Sequence, residues 1–280
     1  MRLHELGRGN SGMTARTRLA LKRALGAASR LYTRSGRRRI ILLYHSIGDS
    51  PLAVSLAAFR AQIEWLSGHA EVVPLQELLT GAAAAPLQVA ITFDDGYASL
   101  HGAALPLLKE HGAVASAFLN TGWIGTDARR FSDPASGHYP QEQFLLWHEV
   151  EALAGAGWAI GSHGVDHLDL AAAPDGVITR ELTLSRRHIE QAVGRCSPVY
   201  SYTWGHHSAH LRRLVAAAGY SHALAGIHRP LADDDDAFAL PRLNIERDYT
   251  LDDFKAIVRG DWDYLGWIQS AKAAAAHLSR

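Results

Sequence analysis

Short apolar runs alternate along this chain with stretches whose apolar residues recur at helical spacing. "RIILLYHSI" (39–47), "LQVAITFDD" (87–95), "VASAFLN" (114–120), "WAIGSH" (158–163) and "PVYSYTWG" (198–205) read as strands bounded by turn-forming residues. "YSHALAG" (220–226) and "FALPRLNIE" (238–246) continue the series. Between them lie helical patterns at 56–66, 99–112, 144–157, 177–194, 209–219 and 250–260, several of them stopped by glycine. An alternation repeated about seven times with short connections predicts an α/β fold on a parallel sheet, either doubly wound or a (β/α) barrel.

In both architectures reactive groups gather where strands end at their C-terminal edge. Asp94, His163 and Trp204 fall at such ends. Asp94 and Asp95 are adjacent, and neighbouring carboxylates repel unless one shifts its pKa or a cation joins them. "GSHGVDH" (161–167) offers His163 and His167 four residues apart, a spacing that lets two imidazoles bind one divalent metal. The chain has 16 histidines, so the spacing recurs by chance at His206 and His210, which read as a solvated loop entering a helix. Adjacent aspartates recur at 233–236, read as a solvated loop, and at 252–253. What singles out the first set is that both elements sit at strand ends. Asp95, His163 and His167 supply one oxygen and two nitrogens and leave a position open for water, the arrangement of a catalytic metal. Asp94 is then free to act as general base.

"TFDDGY" followed by "SHGVDH" resembles the polysaccharide deacetylase family, the NodB-homology group of carbohydrate esterases, over residues 39–246. The resemblance implies a distorted (β/α) barrel of about seven strands. It implies a zinc-type divalent metal, with cobalt or nickel as substitutes, and removal of acetyl groups from N-acetylated sugars to give acetate and a free amine. By the same resemblance Asp94 is the catalytic base, and Asp95, His163 and His167 are the metal ligands. "LLYHSI" and "LPRLNI" resemble the branch that deacetylates poly-N-acetylglucosamine-like exopolysaccharides. In that branch the early-strand histidine, here His45, is the general acid; from the residues alone it is a partly buried strand-end histidine. An acid there needs a pKa above that of free imidazole, which a neighbouring carboxylate on an acidic rim would supply.

The third motif departs from the family pattern: "YSYTWG" has Thr203 where a proline is usual, and it lacks the motif's arginine. The backbone N–H at Trp204 is implied as an oxyanion donor, a role that does not depend on the side chain. Arg242, after Pro241, is a candidate to orient Asp94 or to form a plain ion pair with it. The altered motif leaves a second function open, a deacetylase-like barrel that binds glycan or a partner without turnover.

Net charge is zero, but residues 1–40 hold 11 Lys and Arg against Glu5 alone. This divides the chain into a basic arm (1–38), a barrel (39–248) and C-terminal helices (249–280). In the arm, Leu19, Leu21, Leu25 and Leu31 lie among arginines, a pattern suited either to an anionic membrane surface or to packing on the domain itself. No aromatic interleaving points to nucleic acid. One cysteine, Cys196, excludes an intrachain disulfide. With no secretory h-region and no run of 18 apolar residues, the expectation is a cytoplasmic or membrane-peripheral protein. Trp147 reads as core, and Trp262, Tyr264 and Trp267 as docking on the barrel or facing a partner.

Overall fold

In a computed structural model, which describes residues 14–29, 36–81 and 85–269, the chain forms a single parallel sheet wrapped by helices. The strands are β1 (Arg38–Tyr44), β2 (Glu71–Val72), β3 (Leu87–Phe93), β4 (Ser116–Leu119), β5 (Ala159–Ser162), β6 (Val199–Ser201), β7 (His222–Leu224) and β8 (Leu243–Asn244). The helices are α1 (Ala15–Ser29), α2 (Leu56–His69), α3 (Leu75–Thr80), α4 (Leu105–Glu110), α5 (Trp147–Gly155), α6 (Asp175–Val193), α7 (Ala209–Ala217) and α8 (Leu251–Arg259). The sheet order is β7-β6-β5-β4-β3-β1-β8, with the two-residue β2 alongside β3. Every pairing between strands is parallel. Leu240 bridges β7 at Leu224, and three residues later the same segment pairs with β1 as β8. One stretch of chain therefore spans both sheet edges and closes a distorted (β/α) barrel.

The strand period of two sorts residues between two cores. Ile40, Leu42, Tyr44, Val89, Ile91 and Phe93 pack outward beneath α2, α4, α5 and α8. Ile41, Ala90, Phe118, Val199, Leu224 and Leu240 share an inner cluster with Leu75 and Leu78 of α3. Stepping up from that inner layer by two or four residues gives His45, Asp94, Asn120, Ser201 and Arg242, all buried. The pattern that fills the barrel thus also aims polar side chains into its C-terminal mouth.

The sequence reading missed β2 and α3, too short to carry a period, and it overextended β6, which stops at Ser201. Trp204 lies beyond that strand in a 3-10 turn. The aspartate run at 233–236 is not simply solvated: Asp233 pairs with Arg39, Asp235 with Arg229 and Asp236 with Arg212.

α1 lies against α8 and the chain that follows it. Arg23 reaches Asp253 at 2.6 Å, Lys22 donates to Tyr249 Oη at 2.8 Å, and Gly26 sits against the indole of buried Trp262. Leu19 packs on the core while Leu21 and Leu25 stay exposed. Lys22, Arg23 and Arg38 of the arm thus engage the C-terminal segment. Leu31 and those of the arm's basic residues that lie at 1–13 and 30–35 are outside the described residues, as is the tail beyond 269. Among the described residues no helix is long and apolar enough to cross a membrane.

His228 is buried beside this region with Nε2 unpaired among the described residues, and burial, with Lys22 and Arg38 nearby, depresses its pKa to about 3. An unfolded histidine takes its proton near pH 6.5, so its contribution to stability is complete above that pH and is lost as pH falls toward 3. Between pH 6.5 and 4.5 this residue alone should remove about 2–3 kcal/mol. Urea unfolding at pH 7.5 and 4.5 should show His228→Leu losing less stability with acid than the parent by that amount; parallel losses would exclude His228 as a source.

Candidate active site

β1 and β3 run in register from Arg38 opposite Leu87 to Tyr44 opposite Phe93, so the next residues, His45 and Asp94, emerge side by side at the mouth. β5 adds His163 and β6 ends at Ser201, while Arg242 enters just before β8. Asp95 and His167 complete the group from the loops. Of the four non-glycine residues with left-handed φ among those described, three are Asp95 (72°), His167 (58°) and Trp204 (54°). A bulky residue such as tryptophan rarely takes that conformation, and such strain concentrates at functional sites.

Asp95, His163 and His167 are buried and present ligand atoms all within 4.8 Å of one another. Asp95 Oδ1 lies 3.6 Å from His163 Nε2 and 3.4 Å from His167 Nε2. Each ring's Nδ1 lies 2.8 Å from a backbone carbonyl, that of Ser201 for His163 and that of Ser136 for His167. Because a carbonyl only accepts, both Nδ1 atoms carry a proton, and a neutral ring in this orientation would present Nε2 as its ligating atom on the side of Asp95. Burial lowers the His163 pKa despite Asp94 and Asp95 nearby, which favours the neutral, ligating ring. The three residues therefore fit a divalent cation.

Asp94 does not share that cluster. The Arg242 guanidinium grips it at 2.8 and 2.7 Å, and the Ser201 hydroxyl donates to Oδ2 at 3.0 Å. Arg242 Nη2 also donates to Ser201 Oγ, closing a three-residue network. Burial alone would raise the Asp94 pKa, but Arg242 and His163 hold it far below the usual carboxylate range. Asp95 is also held below its ordinary value: burial pushes it up, and His167, His45 and His163 outweigh that. Asn120 Nδ2 donates to Asp95 Oδ1 at 3.2 Å.

His45 stacks on Tyr139, with Nδ1 3.3 Å from the phenol oxygen. Among the described residues no carboxylate hydrogen-bonds it, so the expectation of a raised pKa is corrected. Burial lowers the His45 pKa, and the opposing pull of Asp95 and Asp94 does not make up the difference. Tyr139 itself titrates well above the ordinary tyrosine range because it is buried. Its phenol can accept from Nδ1 or donate to it, so it holds the ring in either protonation state.

The loop at 133–142 joins these parts. Ser136 orients His167, Tyr139 orients His45, and Gly137 lies against the Trp204 indole, where a Cβ would come within 2.7 Å of the ring. The Tyr139 N–H donates to the hydroxyl of Tyr97, the last residue of "TFDDGY". Ser201, Asn120, Ser136 and Tyr139 have no recognisable spacing in the sequence, since each acts across a long stretch of chain. His206 and His210 pair with Asp169 and Asp175 and lie outside the ligand group.

The chain is 26% identical over 211 residues to the YxkH protein of Bacillus subtilis, covering 73% of this chain and 70% of YxkH. It is 23% identical over 208 residues to the poly-beta-1,6-N-acetyl-D-glucosamine N-deacetylase of Staphylococcus aureus, covering 70% and 69%. Its fold is that of IcaB from Ammonifex degensii (TM-score 0.70, 20% identity, 81% of this chain and 98% of that one). It also matches the Streptococcus pyogenes deacetylase PplD (TM-score 0.67, 19% identity, 80% and 99%). Residues 83–223, just over half the chain and spanning Asp94 to Trp204, match the polysaccharide deacetylase family, and the chain belongs to it.

Proposed function

We propose that this protein is a divalent-metal-dependent N-deacetylase that hydrolyses the acetamide of N-acetylated glycan residues to acetate and a free amine. The observation that carries this reading is one buried mouth holding two separated functions: three ligand atoms converging from Asp95, His163 and His167, and an ionised Asp94 held apart by Arg242. A carboxylate with so low a pKa is a weak base on its own, and a divalent cation supplies what is missing by acidifying water and polarising the acetamide carbonyl. The S. aureus relative's name points to an N-acetylglucosamine polymer as the substrate class.

In this reading Asp94 takes the proton of the attacking water, and Arg242 and Ser201 fix which carboxylate oxygen faces it. The Trp204 N–H stabilises the oxygen that becomes negative as the carbonyl carbon turns tetrahedral. His45, a ring of lowered pKa that gives up a proton readily once it holds one, passes that proton to the departing amine, and Tyr139 keeps the ring in place. His45→Ala should cut turnover on an acetamide by on the order of 100-fold, and by less on an acetyl ester with an activated leaving group that needs no proton. Equal losses on both would make His45 a structural residue.

The direct test is acetate release from N-acetylglucosamine oligomers by protein stripped with a chelator and then reloaded with zinc, cobalt or nickel. Release that depends on added metal supports the proposal. Saturable glycan binding with no acetate under any metal would make the protein a binding module.

A further inference from the structure

Resting on the metal reading of Asp95, His163 and His167, we infer that Glu181 of α6 is a positioning residue that shapes the ligand loop before any cation binds. Glu181 is fully buried, an unusual place for a carboxylate. It lies outside the cluster of ligand atoms. Its Oε2 accepts the backbone N–H of Val165 at 2.6 Å and that of Asp166 at 3.0 Å, two of the three residues between the ligands. The N–H of the third, Gly164, donates to Ser162 Oγ at 3.1 Å, and that hydroxyl lies 2.6 Å from Ser185 Oγ, one turn along α6 from Glu181. All three amides between His163 and His167 therefore end on side-chain oxygens.

The loop carbonyls are held from the opposite side. Thr121 N donates to Gly164 O at 3.1 Å and Gly122 N to Val165 O at 2.9 Å. The approach is close on both faces. A Cβ on Gly164, whose φ is +89°, would lie 3.1 Å from Glu181 Oε2, and one on Gly122 would lie 2.8 Å from Val165 O. The loop is thus clamped between α6 and the β4 exit. That clamp maintains the left-handed backbone of His167, so both imidazoles are aimed independently of the metal. Arg180 covers the outside, reaching Glu181 Oε1 at 2.5 Å and Asp166 Oδ2 at 2.9 Å. A partner of ligands placed this way typically changes metal affinity by about 10–100-fold when removed.

The acceptor geometry makes the test specific. In Glu181→Gln the amide oxygen can still take both N–H groups, and Arg180, half exposed, can turn to Asp166. In Glu181→Leu neither amide has a partner. Zinc affinity measured by chelator competition should be within about threefold of the parent for the glutamine variant and weakened about 10–100-fold for the leucine variant. The cobalt-loaded leucine variant should show a shifted d–d spectrum. In the metal-free parent, the amides of Val165 and Asp166 should already be protected from hydrogen exchange. Parent-like zinc affinity and cobalt spectrum in Glu181→Leu would overturn the inference, as would equal impairment of both variants. If the leucine variant does not fold, unprotected amides in the metal-free parent overturn it alone. Asp95→Asn separates the two levels: loss of metal there with parent-like Glu181→Leu defeats only the positioning role, whereas a parent that binds no metal defeats the site reading as well.

Discussion

Asp94→Asn is expected to keep its metal and to lose turnover by on the order of 10³-fold. Asparagine retains the shape and one acceptor oxygen but cannot take a proton at neutral pH, so substrate and cation binding survive while the base is gone. The structure adds a cost that the motif alone does not reveal. Arg242 is buried with its side chain 1% exposed, and its main partner is this carboxylate. Removing one member of such a pair strands the other charge and commonly costs about 3–5 kcal/mol. The variant should therefore melt several degrees lower and be assayed well below its transition, with circular dichroism as the check on folding. Near-parental acetate release by folded Asp94→Asn would move the base elsewhere.

That coupling shows where sequence reasoning succeeds at this site and where it stops. Asp94 and His163 were legible because each is the first residue past an apolar strand, and Asp95 and His167 followed from their spacing to those two, one and four residues on. His45 and Arg242 were legible by the same rule with help from family resemblance, and the short motif "LPRLNI" placed Arg242 where β8 closes the barrel. Tyr139 and Ser136 were not legible, because they sit on a loop with only isolated bridges and no periodicity, and they reach the site across 94 and 31 residues. Glu181 was hidden for a different reason. In an amphipathic helix rich in Arg and Glu it reads as one more solvated charge, and only the three-dimensional path of the 163–167 loop places it inside. The His45 expectation failed on electrostatics: an acidic rim is no substitute for a carboxylate in contact, and burial prevailed.

Metal loading should stabilise the parent and leave Asp95→Asn unchanged. Arg242 already balances Asp94, so in the metal-free protein Asp95 is a buried carboxylate facing two histidines, with Asn120 as a side-chain donor. Burial favours the neutral form of His163, which weakens the positive charge set against Asp95. A divalent cation supplies that charge, and binding only the native state raises stability by about 2.7 kcal/mol at 100 times Kd. For a chain of this size that amounts to roughly 5–10 °C in Tm. Asparagine suits the left-handed backbone at position 95, where φ is 72°, so the substitution should not strain the chain. It also removes a carboxylate whose pKa the neighbouring histidines hold below its ordinary value, so the metal-free variant should melt at or below the metal-free parent. Scanning calorimetry of chelator-treated protein, repeated with zinc added in steps, reads both expectations. A zinc-induced rise of equal size in parent and Asp95→Asn would place the cation outside Asp95, His163 and His167.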